Sequence, residues 1–262
     1  MTSAQGSRRG VKPEDTARWV FNRVADVYPA RPPYPDALID ELAALIPPGG
    51  TVGDVGAGIG NIALPLAERG FDVVAVEPAE TMLARLRSTA AERGLSLRTF
   101  HAAAESMPLP TGSLETVVIA DTLHFLHLEL TAKELFRVLA RRGTLAVVTV
   151  EFGSTPYMQK LAAIVERATE RRPRSVAASL AQLSALVRVP LRAVRTLHDE
   201  TPMDAEALDR VLASMSFVGP AMNAERFAAL RAATRALDEA PVWARTITLH
   251  AGRKTPRARP PS

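Results

Sequence analysis

Val52-Gly53-Asp54-Val55-Gly56-Ala57-Gly58-Ile59-Gly60-Asn61 places an acid two positions ahead of a GxGxG turn, between a strand-like run and a helix-like run. Glycines at 56, 58 and 60 let the backbone turn tightly and approach a ligand, and a following helix is expected to aim its unpaired N–H groups at that ligand. The pattern is a nucleotide cradle with a carboxylate built into it. A dinucleotide fingerprint reads GxGxxG, whereas here the third glycine comes one residue early and Asn61 stands in its place. Asp54 would repel a pyrophosphate, and it suits a cofactor that carries an ammonium group.

Working outward, the next strand should end in an acid able to accept hydrogen bonds from ribose hydroxyls. Phe71-Asp72-Val73-Val74-Ala75-Val76 is a short β-branched run, and Glu77-Pro78 closes it at the distance from the glycine turn expected of a ribose-binding acid. Residues 79–93 follow with Met82, Leu83 and Leu86 at helical spacing and stop before Gly94. A βαβα unit with these two acids points to S-adenosylmethionine (SAM), a cofactor that carries an ammonium group and ribose hydroxyls.

These residues resemble the class I SAM-dependent methyltransferases, particularly the large small-molecule group of the methyltransferase type 11 kind. Other segments share the likeness. Tyr28-Pro29-Ala30-Arg31-Pro32-Pro33-Tyr34-Pro35 is similar to the Tyr, then Arg-Pro-x-Tyr-Pro, segment ahead of the family's core. Ala103-Ala104-Glu105-Ser106-Met107-Pro108-Leu109-Pro110 resembles its DAExLPxP segment around adenine, and Leu114 to Ala120 its fourth strand, with Asp121-Thr122-Leu123-His124-Phe125 as the turn that follows. Phe136 to Leu145 is similar to its RVLxPGGxL link. One position departs: the family's adenine-contacting Asp falls on Ala103, which leaves Glu105 or backbone groups to take its place.

The resemblance implies a Rossmann-like α/β fold: a seven-stranded, mostly parallel sheet, helices on both faces, and a helical lid inserted after strand 5. It also implies roles. Asp54 is expected to meet the methionyl ammonium directly or through water, and Glu77 the ribose hydroxyls. Gly56, Ala57, Gly58 and Gly60 form the turn, Pro78 and Met82 flank the nucleoside, Ala104 and Glu105 edge the adenine, and Ala120 floors the site. Tyr28 and Arg31 close it over the carboxylate end. Plainer readings stand beside these: Met82 as core, Arg31 as a loop residue, Glu105 as a turn cap. His124 is the general-base candidate, because it follows strand 4 at the carboxyl edge of the sheet and an imidazole titrates near neutrality; the alternative is that it packs on Phe125 and shapes the pocket. Methyl transfer by positioning asks for no metal, and S-adenosylhomocysteine is the expected product.

Strands are expected at 51–55, 71–76, 95–100, 114–120, 143–151 and 242–250, the last antiparallel as the resemblance implies, with helices at 14–27, 35–45, 204–214 and 223–238. Pro47-Pro48-Gly49-Gly50 is a linker. The division that follows is a helical cap over 1–46, a core over 47–152, a helical lid over 153–190, the rest of the core over 191–252, and a basic disordered tail over 253–262. In the lid, Leu161, Ile164, Val165 and Ala168 share one helical face, and Leu180, Leu183 and Leu186 another.

Composition limits the function classes. With 262 residues and 47% apolar residues the chain can build a large core, and with no cysteine it cannot use the covalent thiolate route to carbon-5 methylation of pyrimidines. No apolar run approaches the ~18–20 residues of a membrane span, and Met1 to Lys12 lacks a signal-peptide core, so a cytoplasmic protein without a membrane partner is expected. The net charge is +4, but Arg8, Arg9, Lys12, Arg253, Lys254, Arg257 and Arg259 at the two ends exceed it, leaving the body acidic. Aromatics are only 5%, which weighs against a nucleic-acid face. A small-molecule methyltransferase with an O, N or C acceptor leads. The alternatives are a tRNA or rRNA methyltransferase, for which the tails speak while an (N/D)PP(Y/F) segment after strand 4 is missing, and a non-enzymatic SAM-binding regulator.

Overall fold

In a computed structural model, described here over residues 19–169 and 176–255, seven strands form one sheet in the order β3-β2-β1-β4-β5-β7-β6. These are β1 Thr51–Val55, β2 Asp72–Glu77, β3 Arg98–His101, β4 Leu114–Ala120, β5 Leu139–Phe152, β6 Arg192–Pro202 and β7 Val242–Arg253. Strands β1 to β5 pair in parallel, while β7 runs antiparallel to β5 and β6 antiparallel to β7. The order reverses between β1 and β4, so their carboxyl ends open a crevice where ligands of such sheets bind.

Alternation along the strands sorts side chains between two layers. Val74, Val76, Val117, Ile119, Leu145 and Val147 pack toward α4 (Leu128–Val138) and α6 (Val176–Val187); Val73, Ala75, Val118, Ala146 and Val148 pack toward α1 (Asp36–Ala43) and α2 (Ala63–Glu68). Full burial of each such aliphatic contributes roughly 1.5–3 kcal/mol. Helix α4 shows why the sequence yields a helix here: Leu128, Thr131, Ala132, Leu135 and Val138 recur at helical spacing and all are buried. A third cluster joins α5 (Pro156–Thr169), α7 (Ala205–Ser214) and α8 (Ala224–Arg235) to β7 through Leu161, Leu212, Leu230 and Trp243. Asp204 and Asn223 cap α7 and α8, accepting from Ala207 N and Arg226 N at 2.6 and 2.8 Å.

Several sequence expectations change. The helix expected over 14–27 is, in its described part, a 3₁₀ turn at Trp19–Arg23 followed by another at Tyr28–Ala30. Pro29 has no N–H to give Ala25 O, and α3 (Glu80–Glu92) supplies side-chain donors instead: Arg85 donates to Ala25 O at 2.9 Å and Thr81 to Asn22 O at 3.3 Å. Strand β6 was not placed by the sequence, because nearly all of Arg192–Pro202 is exposed along an edge and carries no apolar alternation. The two helices expected as one lid part company, since α5 joins the α7–α8 cluster and α6 packs on α4. Arg253 closes β7, and Lys254 donates to Phe136 O and to Leu139 O, the latter at 2.9 Å, so the sheet runs past the boundary expected at 252. Residues 1–18 and 256–262, with most of the basic ends, lie outside the described residues.

Candidate functional site

A cavity of about 520 Å³ opens at the carboxyl edge of the sheet and runs from the glycine turn to the α5 and β7 side. The turn after β1 explains its first wall. Gly56 N and Ala57 N both donate to Val76 O, at 2.8 and 3.1 Å, and Gly60 N donates to Ala57 O at 2.9 Å. Gly58 N reaches Glu77 Oε2 at 2.8 Å, while Ala79 N reaches Glu77 Oε1 at 2.8 Å. Ala63 N, at the start of α2, is taken by Asp54 Oδ2 at 3.1 Å. The expected N–H cradle is therefore largely spent inside the protein, and what Glu77 presents to the cavity is a carboxylate. Such a wall suits hydroxyls or a cation and does not suit a phosphate.

Two glycines have distinct reasons. Gly56, at φ +77°, has Thr122 where a side chain would go, since a Cβ would fall 2.5 Å from Thr122 Cγ2. A Cβ on Gly58, at φ +57°, would meet no protein atom within 4 Å, and Gly58 lines the cavity. The space beside it is room for a ligand.

Of the residues singled out from sequence, Tyr28, Arg31, Gly56, Gly58, Glu77, Pro78, Met82, Ala104, Glu105 and His124 line this one cavity. Asp54, Ala57, Gly60 and Ala120 do not. Asp54 lies behind the turn, 1% exposed, where it holds the first turn of α2. Burial, reinforced by the nearby Glu77 charge and opposed by the Ala63 hydrogen bond, pushes its pKa up to about 7. Burial likewise raises Glu77, against the pull of its two backbone donors. Glu105 accepts from His127 N at 2.8 Å, which makes it a brace for the start of α4 as well as a wall residue. His124 sits against Phe125, ring centroids 4.0 Å apart.

Sequence reasoning missed much of the opposite wall or left it unranked. Phe21, Tyr34, Phe125, Phe152, Phe217 and Trp243 line the cavity beside Tyr28, which the sequence had singled out, a concentration in a chain with only 2 Trp, 3 Tyr and 8 Phe. Phe21 packs edge-on against Phe125 at 4.9 Å, and Phe152 against Trp243 at 5.4 Å. Two arginines tie the N-terminal segment across this end. Arg31 stacks on Tyr28 at 4.4 Å and donates to Ser214 Oγ and Ser214 O of α7, both at 2.9 Å. Arg245 of β7 donates to Pro32 O at 2.9 Å and Pro33 O at 2.7 Å, and pairs with Asp199 of β6. Burial drives the Tyr34 phenol well above its usual pKa and raises that of Tyr28. Asp121, directly after β4, has φ +49° and stands with Oδ2 3.8 Å from Arg31 Nη1.

The strand order, the glycine turn after β1 and the acid ending β2 are similar to those of the class I SAM-dependent methyltransferases. Residues 53–147 match the family model described as a methyltransferase domain. An uncharacterized methyltransferase of Mycobacterium tuberculosis is 38% identical over 118 residues, covering 45% of this chain and 46% of that protein. The demethylmenaquinone methyltransferase of Thermus thermophilus is 41% identical over 106 residues, covering 39% of this chain and 47% of the enzyme. The matched stretch thus spans under half the length of these relatives. A solved structure from Anaeromyxobacter dehalogenans, described as a candidate type II methyltransferase, has a TM-score of 0.62 at 26% identity over 87% of this chain and 99% of that one. Among the described residues no helix is long and apolar enough to cross a membrane, and no group of three or more His, Asp or Glu residues is placed to hold a metal ion.

Proposed function

We propose that this chain transfers a methyl group from SAM to an O, N or C nucleophile of a small molecule. The observation that carries the reading is the single cavity joining a cofactor-shaped wall to an aromatic one. The cofactor fits the first wall on structural grounds: the ligand space beside Gly58, and a Glu77 carboxylate fixed by two amides with lone pairs left for hydroxyls. Bound there, SAM would supply a sulfonium methyl group that is already electrophilic. The protein's work is then to orient. Met82 and Pro78 would hold the nucleoside, Ala104 and Glu105 the base, and the buried Asp54 would act on the methionyl end through the turn it braces. The aromatic wall would align the acceptor, and such positioning supplies on the order of 7–11 kcal/mol of barrier lowering. His124 would shape the acceptor end from beside Phe125.

A small-molecule acceptor is supported by the aromatic residues of that wall and by the Thermus relative, whose name denotes a quinone-type substrate. Helix α5 would serve as a wall over the acceptor, contributing Ala162, Val165 and Glu166. The test is to incubate the protein with methyl-labelled SAM and a cell extract separated into small molecules, nucleic acids and proteins. Label in the small-molecule fraction is the expected result. Label confined to RNA or DNA would transfer the reading to the nucleic-acid class.

A further inference from the structure

We infer that Asp121 is the group that receives the acceptor's proton during methyl transfer, and that Arg31 is the positioning residue that sets its charge. The inference rests on the methyltransferase reading above and concerns the same cavity.

Asp121 follows the last residue of β4 at the point where the sheet order reverses, and its own N–H still completes the ladder by donating to Val148 O at 3.0 Å. Immediately after that bond the backbone turns left-handed, φ +49°. Outside glycine that conformation costs roughly 1–2 kcal/mol, somewhat less for Asp, and such outliers persist where the surroundings over-determine them. The turn breaks the alternation of β4 and puts the carboxylate in the cavity wall, where the side chain is 34% exposed. No hydrogen bond to this carboxylate is present among the described residues; its partner is Arg31 at 3.8 Å, beyond hydrogen-bond reach. Arg31 cannot easily close that gap, because its Nε and Nη2 are held on Ser214 and its face on Tyr28.

Among the described residues no donor occupies this carboxylate, which is open to the cavity. An acceptor presenting O–H or N–H would provide the donor. The proton passes from the acceptor heteroatom to an Asp121 oxygen, and the electron pair left behind forms the new bond to the methyl carbon. The S–CH₃ bond breaks with its pair remaining on sulfur, which becomes a neutral thioether, and the protonated carboxyl later loses its proton to water at the cavity mouth.

The titratable and charged groups that share this part of the cavity are Arg31, Tyr28 and Tyr34 from the N-terminal segment, Arg245 from β7, Glu151 from β5 and His124 from the same turn. Burial lifts Asp121 to about 6 against the opposing charges of Arg31 and Arg245. The two phenols, both raised, stay protonated near neutrality. Asp121 is thus ionised at pH 7 and still basic enough to take a proton.

The test follows label from SAM into the small-molecule fraction for the wild type, Asp121→Asn and His124→Asn, with SAM affinity measured by calorimetry on the same preparations. Asp121→Asn keeps the side-chain shape; the expected loss is about 10²–10⁴-fold in rate at saturating SAM, with SAM affinity changed by no more than about threefold. The wild-type rate should rise with pH through about 6 and then level. A readout without turnover is the ¹³C carboxyl resonance that disappears in Asp121→Asn: it should titrate near 6 in the free protein and move upward in Arg31→Met. Four results overturn the assignment while leaving the methyltransferase reading intact: an Asp121→Asn rate close to wild type, a parallel loss of SAM affinity, a larger loss in His124→Asn, or titration of Asp121 at an ordinary carboxylate value. A wild type that labels no small molecule overturns both.

Discussion

The two ends of the cavity are built by opposite means. At the cofactor end, contacts are made by backbone and by residues close in sequence: Gly58 to Glu77, Ala79 to Glu77, Ala63 to Asp54, Gly56 and Ala57 to Val76. At the acceptor end, side chains from remote segments meet: Arg31 binds Ser214 across 183 positions, and Arg245 binds Pro32 across 213. The first end is a local device that a short motif can encode. The second exists only when the N-terminal segment, α7 and the β6–β7 pair have all docked, so the two should fail independently.

The largest expected effect is on the acceptor end. Arg245 is 7% exposed and serves Asp199, Pro32 O and Pro33 O at once, so Arg245→Met strands a partly buried carboxylate and two carbonyls. Asp199 keeps some access to water, which reduces the penalty of a broken buried pair to about 3 kcal/mol of stability. Chemical denaturation should show that loss, while calorimetry shows SAM binding retained at temperatures where the variant is folded. Abolished SAM affinity in the folded variant would mean that the two ends are one unit.

Glu77→Gln breaks the other end. An amide has one oxygen for two backbone donors, so its NH₂ must face Gly58 N or Ala79 N, at a cost of about 1–3 kcal/mol. Loss of a charged acceptor for the ribose adds to this, and SAM affinity should fall about 100-fold. The near-ultraviolet signal of Trp243 and its neighbours should stay as in the wild type, and a collapse of that signal would contradict local construction.

The smallest effect is a pH dependence. Asp54 has a folded pKa of about 7 against an ordinary 3.8, so between those values the folded state holds a proton that the unfolded state has lost. Stability therefore declines as pH rises through that window and is flat above it. An ammonium-bearing ligand favours the ionised carboxylate, so SAM affinity should increase with pH up to about 7, by at most about tenfold per pH unit, and then level. Asp54→Asn should flatten both curves, in thermal melts and in titration calorimetry. A SAM affinity that fell over this range in the wild type would remove Asp54 from the methionyl end.

The glycine turn and Glu77 were legible as neighbours in space because spacing along one βα unit brings the end of β2 beside the turn after β1. The strands flanking them were equally plain, since buried parallel strands read as β-branched runs. Strand β6 was not, because an exposed edge strand leaves no hydrophobic pattern to read. Asp121 was visible as a residue but not as a position: its left-handed backbone and its distance from Arg31 arise only when β4 ends against the N-terminal segment. Asp54 shows the reverse, conspicuous in sequence and yet withdrawn from the cavity wall to hold α2.

By itself the sequence determined strands β1 to β5 and β7 and the glycine turn after β1, because these rest on local backbone geometry and on periodic burial. Only the tertiary structure decided which aromatics gather on one cavity wall, which arginines are already occupied and that Asp121 stands at the cavity beside Arg31. Those properties depend on distances between segments up to 213 positions apart, and no spacing along the chain records them.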